Sequence, residues 1–189
     1  MTDGAAALES DEQLALQAQR GDQQALLTLA ERFYPLMFRY LYRMGGGNRM
    51  LAEDLTQDVF LRMQRGLARY EYPRPFKTWL YTIATNLARD HWSLADTRRN
   101  DNSDSAELEA DSTQISGEAA LIKQEDAARV RSALAALPEL QRQAVLLYYY
   151  EELSQLEIAA AADVPLGTVK SRLFAGLRRL REIMQGEER

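Results

Sequence analysis

Three groups of side chains in this sequence have types and spacings that could do chemistry, and each points to recognition rather than to bond making. The first is basic. From Leu166 to Arg181 stand five cations (Lys170, Arg172, Arg178, Arg179, Arg181) and no acidic residue. In a chain of formal net charge −5 this local excess is the footprint of a site for a polyanion, unless it is the solvated face of a packing helix. The second group is aromatic and basic: Tyr70, Tyr72, Phe76, Lys77, Trp79, Tyr81, Asn86, Arg89, His91 and Trp92. Rings stack on unpaired bases, cations hold phosphates and an amide reads a base edge, a combination suited to single-stranded nucleic acid. Trp79 and Trp92, each taken alone, suit a core equally well. The third group is acidic. Asp54, Gln57 and Asp58 recur three and four residues apart, on one face of a helix beside its apolar stripe. An exposed helix face offers no pocket to shift a carboxylate pKa, so composition alone favours a solvated face over general acid–base work.

The elements that must position these groups are helical throughout. From Asp22, a helix N-cap by type, Leu26, Leu29, Phe33, Leu36, Met37, Tyr40, Leu41 and Met44 recur at three- and four-residue steps, stopping at Gly45-Gly46-Gly47. Pro35 is expected to kink or divide this helix. Leu51, Leu55, Val59, Met63 and Leu67 mark a second helix, which carries the acidic group. A third is expected from about Phe76 to Trp92, after a loop broken by Pro73 and Pro75. Beyond it, Asp101 to Glu118 holds six acidic residues and no basic one among Ser, Asn, Thr and Gly, the composition of a flexible linker; an acidic loop within one domain is the alternative. Helices are then expected from about Glu118 to Leu137 and from Pro138 to about Tyr150. A capping box, Ser154-Gln155-Leu156-Glu157, opens a short helix to Ala162, and Asp163-Val164-Pro165 turns into a last helix from about Gly167 to Met184. Leu153, Leu156, Ile158, Ala159, Val164, Val169 and Leu173 can fill the apolar places of a helix-turn-helix. Thr168, Lys170, Ser171, Arg172 and Phe174 then stand near the start of its second helix, where major-groove readers present side chains. The expected fold is all-α, with two small helical domains, 1–95 and 121–189, joined by a flexible acidic linker, 96–120.

Composition narrows the functions further. The 189 residues include no cysteine and a single histidine, His91, so thiolate metal sites, cysteine nucleophiles and His-paired catalysis start without their parts. Gly45-Gly46-Gly47 lacks the lysine and strand context of a phosphate loop. No metal, cofactor or catalytic residue is expected. The start, MTDGAAALESDEQ, has neither a basic flank nor an apolar stretch, and no apolar run approaches the roughly 20 residues that span a bilayer. A cytoplasmic protein with no membrane insertion of its own is expected.

AEDLTQDVFLRM, then FKTWLYTIATNLARDHW, then the acidic segment, then LPELQRQAVLLYYYEELSQLEIAAAADVPLGTVKSRL resembles, over nearly the whole chain and in this order, the extracytoplasmic-function (ECF) class of bacterial RNA polymerase sigma factors, in the sigma-70 family. The resemblance implies a promoter-specificity subunit and not an enzyme. It implies that Asp54, Gln57, Asp58 and Phe60 dock on the clamp coiled coil of the largest polymerase subunit. It implies that the loop from Arg65 to Pro75 and the following helix read the minus-ten element as a melted strand. There Asn86 would line a pocket for a flipped base, and Tyr70, Phe76, Lys77, Trp79, Tyr81 and Arg89 would support strand separation or hold phosphate. The last domain would meet the polymerase flap and bind the minus-thirty-five element through Thr168, Lys170, Ser171, Arg172 and Phe174. An anti-sigma factor is the implied inhibitory partner. One departure stands out: Ala175-Gly176 follows the recognition-helix aromatic where relatives often carry arginine, and the glycine weakens the helix by up to about 1 kcal/mol unless close packing compensates. A helix-turn-helix regulator acting without polymerase also fits the terminal pair, but it leaves the aromatic run and the acidic helix unexplained. A nuclease using Asp54 and Asp58 as metal ligands is a third reading.

Overall fold

The computed structural model describes residues 9–101 and 128–186, with side chains described for 9–92 and 128–186. Every regular element among them is helical. The acidic segment read as a linker lies, from residue 102 onward, outside the described residues.

A helix absent from the periodicity analysis begins the fold. In α1 (Asp11–Gln19) the Ser10 hydroxyl accepts from the Gln13 amide at 3.2 Å and the Gln13 side chain accepts from the Ser10 amide at 3.1 Å, a capping box that satisfies two orphan donors at once. Its carboxylate Glu12 reaches across the domain to accept from the Phe76 amide at 3.1 Å, placing negative charge at the positive end of a later helix.

Asp22 caps α2 (Gln23–Met44), accepting from Gln24 and Ala25. Ala25, Leu29, Phe33, Met37, Tyr40, Leu41 and Met44 are buried along one stripe. Pro35 neither ends nor divides the helix. It lies on the exposed side, where water can satisfy the carbonyl its ring leaves unpartnered. The chain then reverses through Gly46 and Gly47, at φ of 66° and 97°, backbone that side-chain-bearing residues rarely adopt. Asn48 caps α3 (Arg49–Gly66), which buries Ala52, Leu55, Thr56, Val59 and Met63. A 3-10 turn (Leu67–Arg69) and a loop lead into α4 (Phe76–Asp101), which continues nine residues past Trp92. Edge-on contacts of Phe33 with Phe76 (5.2 Å) and of Tyr40 with Tyr81 (5.5 Å) join α2 to α4.

The second unit comprises α5 (128–135), α6 (Glu139–Tyr149), α7 (Gln155–Ala162) and α8 (Leu166–Gly186), with the break at Pro138 where the sequence places it. Ser154 and Glu157 form the expected capping box of α7, and Asp163, in the left-handed conformation, makes the turn into α8. Leu153, Ile158, Val169 and Leu173 are buried as expected, but Leu156 is 69% exposed. At the second position of an eight-residue helix it falls on the face opposite Ile158 and Ala161, so it takes no part in the pairing with α8. Gly176 is buried where α8 crosses α6.

The two units touch. Helix α7 packs along α4, and α6 meets the end of α2. Arg142 ties the second contact: one guanidinium nitrogen donates to the Met44 carbonyl at 2.6 Å, while the other donates to Ala135 and Leu137 at 2.7 and 3.0 Å.

Candidate nucleic-acid and protein interfaces

The acidic face of α3 is open to solvent. Asp54, Gln57 and Asp58 are exposed, and Phe60 is half-buried, stacked on the exposed ring of Tyr34 at 5.7 Å. Elsewhere on α3, Arg49 pairs with Glu53 at 2.9 Å and Arg62 with Asp90 at 3.8 Å, whereas Asp54 and Asp58 make no ion pair among the described residues. An aromatic anchor beside unpaired carboxylates is suited to a basic protein surface.

The aromatic run divides by depth. Tyr70 and Phe76 are buried, with ring centroids 5.8 Å apart, and each meets Trp79, at 5.3 and 5.5 Å. Trp79 is half-buried and lies against Gly66, where an added Cβ would stand 3.2 Å from its ring. The Tyr70 hydroxyl donates to the Arg74 carbonyl, and Gln19 donates to the Leu67 and Tyr70 carbonyls at 3.0 and 3.1 Å, so the loop before α4 is held from both sides. Burial pushes the Tyr70 phenol up to about 12, with the charge of Glu12 adding to it. Tyr70 and Phe76 thus build the wall of the loop, Trp79 is half-buried against them, and Tyr72 is the exposed ring of the run.

Lys77, Tyr81, Thr85 and Arg89 follow at four-residue spacing, one stripe of α4; the second unit covers it from Lys77 to Thr85, and Arg89 is exposed at its end. Lys77 donates to the Glu151 backbone carbonyl at 2.5 Å, and the Tyr81 hydroxyl donates to the Glu151 carboxylate. Thr85 donates to the Ala161 carbonyl at 2.9 Å, and on the adjoining edge Thr78 donates to Glu157 at 3.2 Å. Burial and the neighbouring Glu151 charge hold the Tyr81 phenol far above its ordinary value. Hydrogen bonding from Ser154 holds the Glu157 carboxyl below the usual range, against burial, with Thr78 and the charge of Lys77 assisting. Asn86 accepts from Arg89 at 2.9 Å, and both line a cavity of about 100 Å³ shared with Gln143, Val164 and Arg172.

On α8, Lys170, Ser171 and Phe174 face solvent, Phe174 being 71% exposed, and Thr168 is half-buried with its carbonyl accepting from Ser171 at 2.9 Å. Arg172 instead turns into the cavity with Arg89; burial and that like charge lower its pKa. The fold therefore presents most of the expected duplex-binding set on one outer surface and brings Arg172 to the expected strand-binding set. Glu12, Thr78, Thr85, Arg142 and Glu151 were not distinguished by sequence reasoning. The four-residue recurrence of Lys77, Tyr81, Thr85 and Arg89 is the local signal that could have marked the stripe; Glu151 carried none.

Helices in this order, ending in a capped helix-turn-helix with exposed cations on its second member, are those of a two-part helical DNA-binding factor, with a separate exposed acidic face on α3. Residues 29–98 match the family model for sigma-70 region 2, and residues 127–180 match that for sigma-70 region 4. The RNA polymerase sigma-H factor of Pseudomonas aeruginosa is 31% identical over 188 residues, covering 94% of this chain and 95% of that one. The ECF RNA polymerase sigma factor SigW of Bacillus subtilis is 30% identical over 175 residues, covering 88% and 92%. Among solved structures, the sigma factor RpoE of Bartonella quintana, in complex with the anti-sigma factor NepR, superposes with a TM-score of 0.65 at 25% identity, covering 82% of this chain and 94% of that one. This chain belongs to the sigma-70 family of bacterial RNA polymerase sigma factors, in its ECF class. Within the described residues no helix is long and apolar enough to cross a membrane.

Proposed function

We propose that the chain acts as a detachable specificity subunit: it binds core RNA polymerase, directs it to promoters with their own minus-thirty-five and minus-ten elements, and helps open the duplex. It carries no reaction itself and works wherever polymerase and chromosome meet, in the cytoplasm. The reading rests above all on the face of α3, where exposed Asp54 and Asp58, in no ion pair among the described residues, stand beside half-buried Phe60 stacked on the exposed Tyr34 ring. In this role Asp54, Gln57, Asp58 and Phe60 dock on the clamp coiled coil and the last domain also meets the flap. Lys77, Trp79, Tyr81, Asn86 and Arg89 engage the minus-ten strand, supported from beneath by Tyr70 and Phe76, so that stacking and charge offset the cost of unstacking bases. Thr168, Lys170, Ser171 and Phe174 face the minus-thirty-five duplex, joined in this role by Arg172, which here turns into the cavity beside Arg89, with phosphate contacts positioning and base contacts specifying. The relative solved with NepR supports a further element, control by an anti-sigma factor that holds this chain away from polymerase.

The test is transcription. The purified chain, added to sigma-free bacterial core, should start RNA at discrete sites on cognate genomic DNA. Core binding without starts on any genomic template would remove the promoter-reading assignment. Failure to bind core, together with protection of paired half-sites by the chain alone, would replace this reading with a polymerase-independent regulator.

A further inference from the structure

A cavity of about 400 Å³ opens where α2 of the first unit meets α5 of the second and the residue just past α6, and none of its walls is assigned above to polymerase or promoter. Three guanidiniums reach it, Arg39 and Arg43 from α2 and Arg131 from α5, and no lining residue is acidic. Val130 and Leu134 give it an apolar side. Two rings complete it: Tyr42, held in place by stacking on Phe38 at 5.9 Å, and Tyr150, which is 40% exposed. Arg43 lies over the Tyr150 ring, 4.3 Å from its centroid, and stands 3.9 Å from the carboxylate of buried Glu151, beyond hydrogen-bond length. Arg39 and Arg131 make no ion pair among the described residues. Three cations against one carboxylate that already accepts from Tyr81 leave the cavity electropositive.

The size, the place between two units and the apolar and aromatic walls are those of a site for a small organic molecule. Guanidinium forks match phosphate oxygens in pairs, and three of them call for an anion of more than one charge. Rings and aliphatic side chains beside them take a flat, weakly polar body. We infer that this cavity binds a nucleoside polyphosphate, with Arg39, Arg43 and Arg131 on the phosphates and the base laid against Tyr150 and Val130. No amide side chain lines the cavity to read a base edge, so adenine and guanine are held alike. Because the walls come from both units, the bound nucleotide favours the arrangement in which they touch.

Calorimetric titration of the full chain with GTP and with ATP, without added magnesium, tests the assignment. Both should bind saturably at one site with affinities within a few-fold of each other, whereas inorganic triphosphate, which lacks the ring, and guanosine, which lacks the phosphates, should each bind more weakly. Arg39→Ala and Arg131→Ala remove side chains that make no ion pair among the described residues. Each should leave the thermal midpoint of the free chain in place and weaken GTP on the order of tenfold, the size of one charge-assisted hydrogen bond. Tyr150→Leu should narrow the gap between GTP and inorganic triphosphate. GTP should raise the thermal midpoint of the parent, and less so that of Arg131→Ala. No saturable binding of either nucleotide at millimolar concentration overturns the site, as does inorganic triphosphate binding as tightly as GTP. A loss in Lys170→Ala as large as in Arg131→Ala would place the nucleotide on α8 and overturn it too. Neither polymerase nor DNA enters the titration, so its outcome is separate from the promoter reading.

Discussion

A Cβ on Gly176 would stand 2.9 Å from Val145 Cγ2, closer than real side chains approach, because α8 and α6 cross here with little between their backbones. The glycine that interrupts an otherwise good helix former's stretch is therefore a packing residue. Alanine would gain up to about 1 kcal/mol of helix propensity. Overpacking costs typically about 1–3 kcal/mol. Gly176→Ala is expected to lower the thermal midpoint, and Val145→Ala in the same chain to restore part of it; a midpoint raised by Gly176→Ala alone would show the crossing to be loose.

Asp54 and Asp58 make no ion pair among the described residues, so replacing them should leave folding alone and act on binding. Asp54→Ala with Asp58→Ala is expected to keep the parent's melting curve while weakening association with core polymerase by about tenfold or more, the range of an interface hot spot. Competition against a labelled parent chain for core would measure it. Equal competition would assign this face to solvent.

Lys170 separates two kinds of DNA contact. Against promoter duplex bound by the holoenzyme, Lys170→Ala should cost about 1–3 kcal/mol and relax preference at one position if the contact is to a base edge. A phosphate contact would instead weaken all sequences alike and reduce the salt slope by about one. Binding isotherms at several salt concentrations on matched and substituted minus-thirty-five elements distinguish the two, and an unchanged isotherm removes Lys170 from the interface.

Tyr40, Tyr70 and Tyr81 have phenols raised by burial, Tyr70 to about 12. With an unfolded value near about 10, the neutral phenol stabilises the fold fully below that pH, and this contribution is lost as pH rises through the folded value. In an alkaline titration these rings should ionise late, together with the loss of helical circular dichroism. Phenolate absorbance shows it: the part of the signal due to these three rings should rise only as helical circular dichroism is lost, and a complete rise with the helices intact would contradict the burial.

What the sequence disclosed divides by the range of the interaction. Asp22, the α2 stripe, Pro138 and the Ser154–Glu157 capping box were legible because each depends on neighbours within a few residues. Ser10 and Gln13 carried the same kind of signal for α1, but the helix they open has too short an apolar face to stand out by period. Pro35 left open whether α2 is divided, and the helix runs through it because solvent can satisfy the carbonyl that loses its amide partner. Leu156 misled because its apolar type does not say which side of a two-turn helix it occupies. Tyr81 and Glu151 lie 70 residues apart, and no local pattern announces a partner at that distance. The candidate interface residues on α3 and α8 were therefore locatable, while the covering of the α4 stripe was not.

Arg142 gives the two units a way to find the same seat again. Of its three carbonyl partners, Ala135 and Leu137 belong to its own unit and only Met44 belongs to the other. Two of the three bonds are internal to its unit, so the guanidinium is anchored and aimed independently of its bond to Met44. A side chain held upright by two bonds on its own unit fixes the angle at which the third can be made.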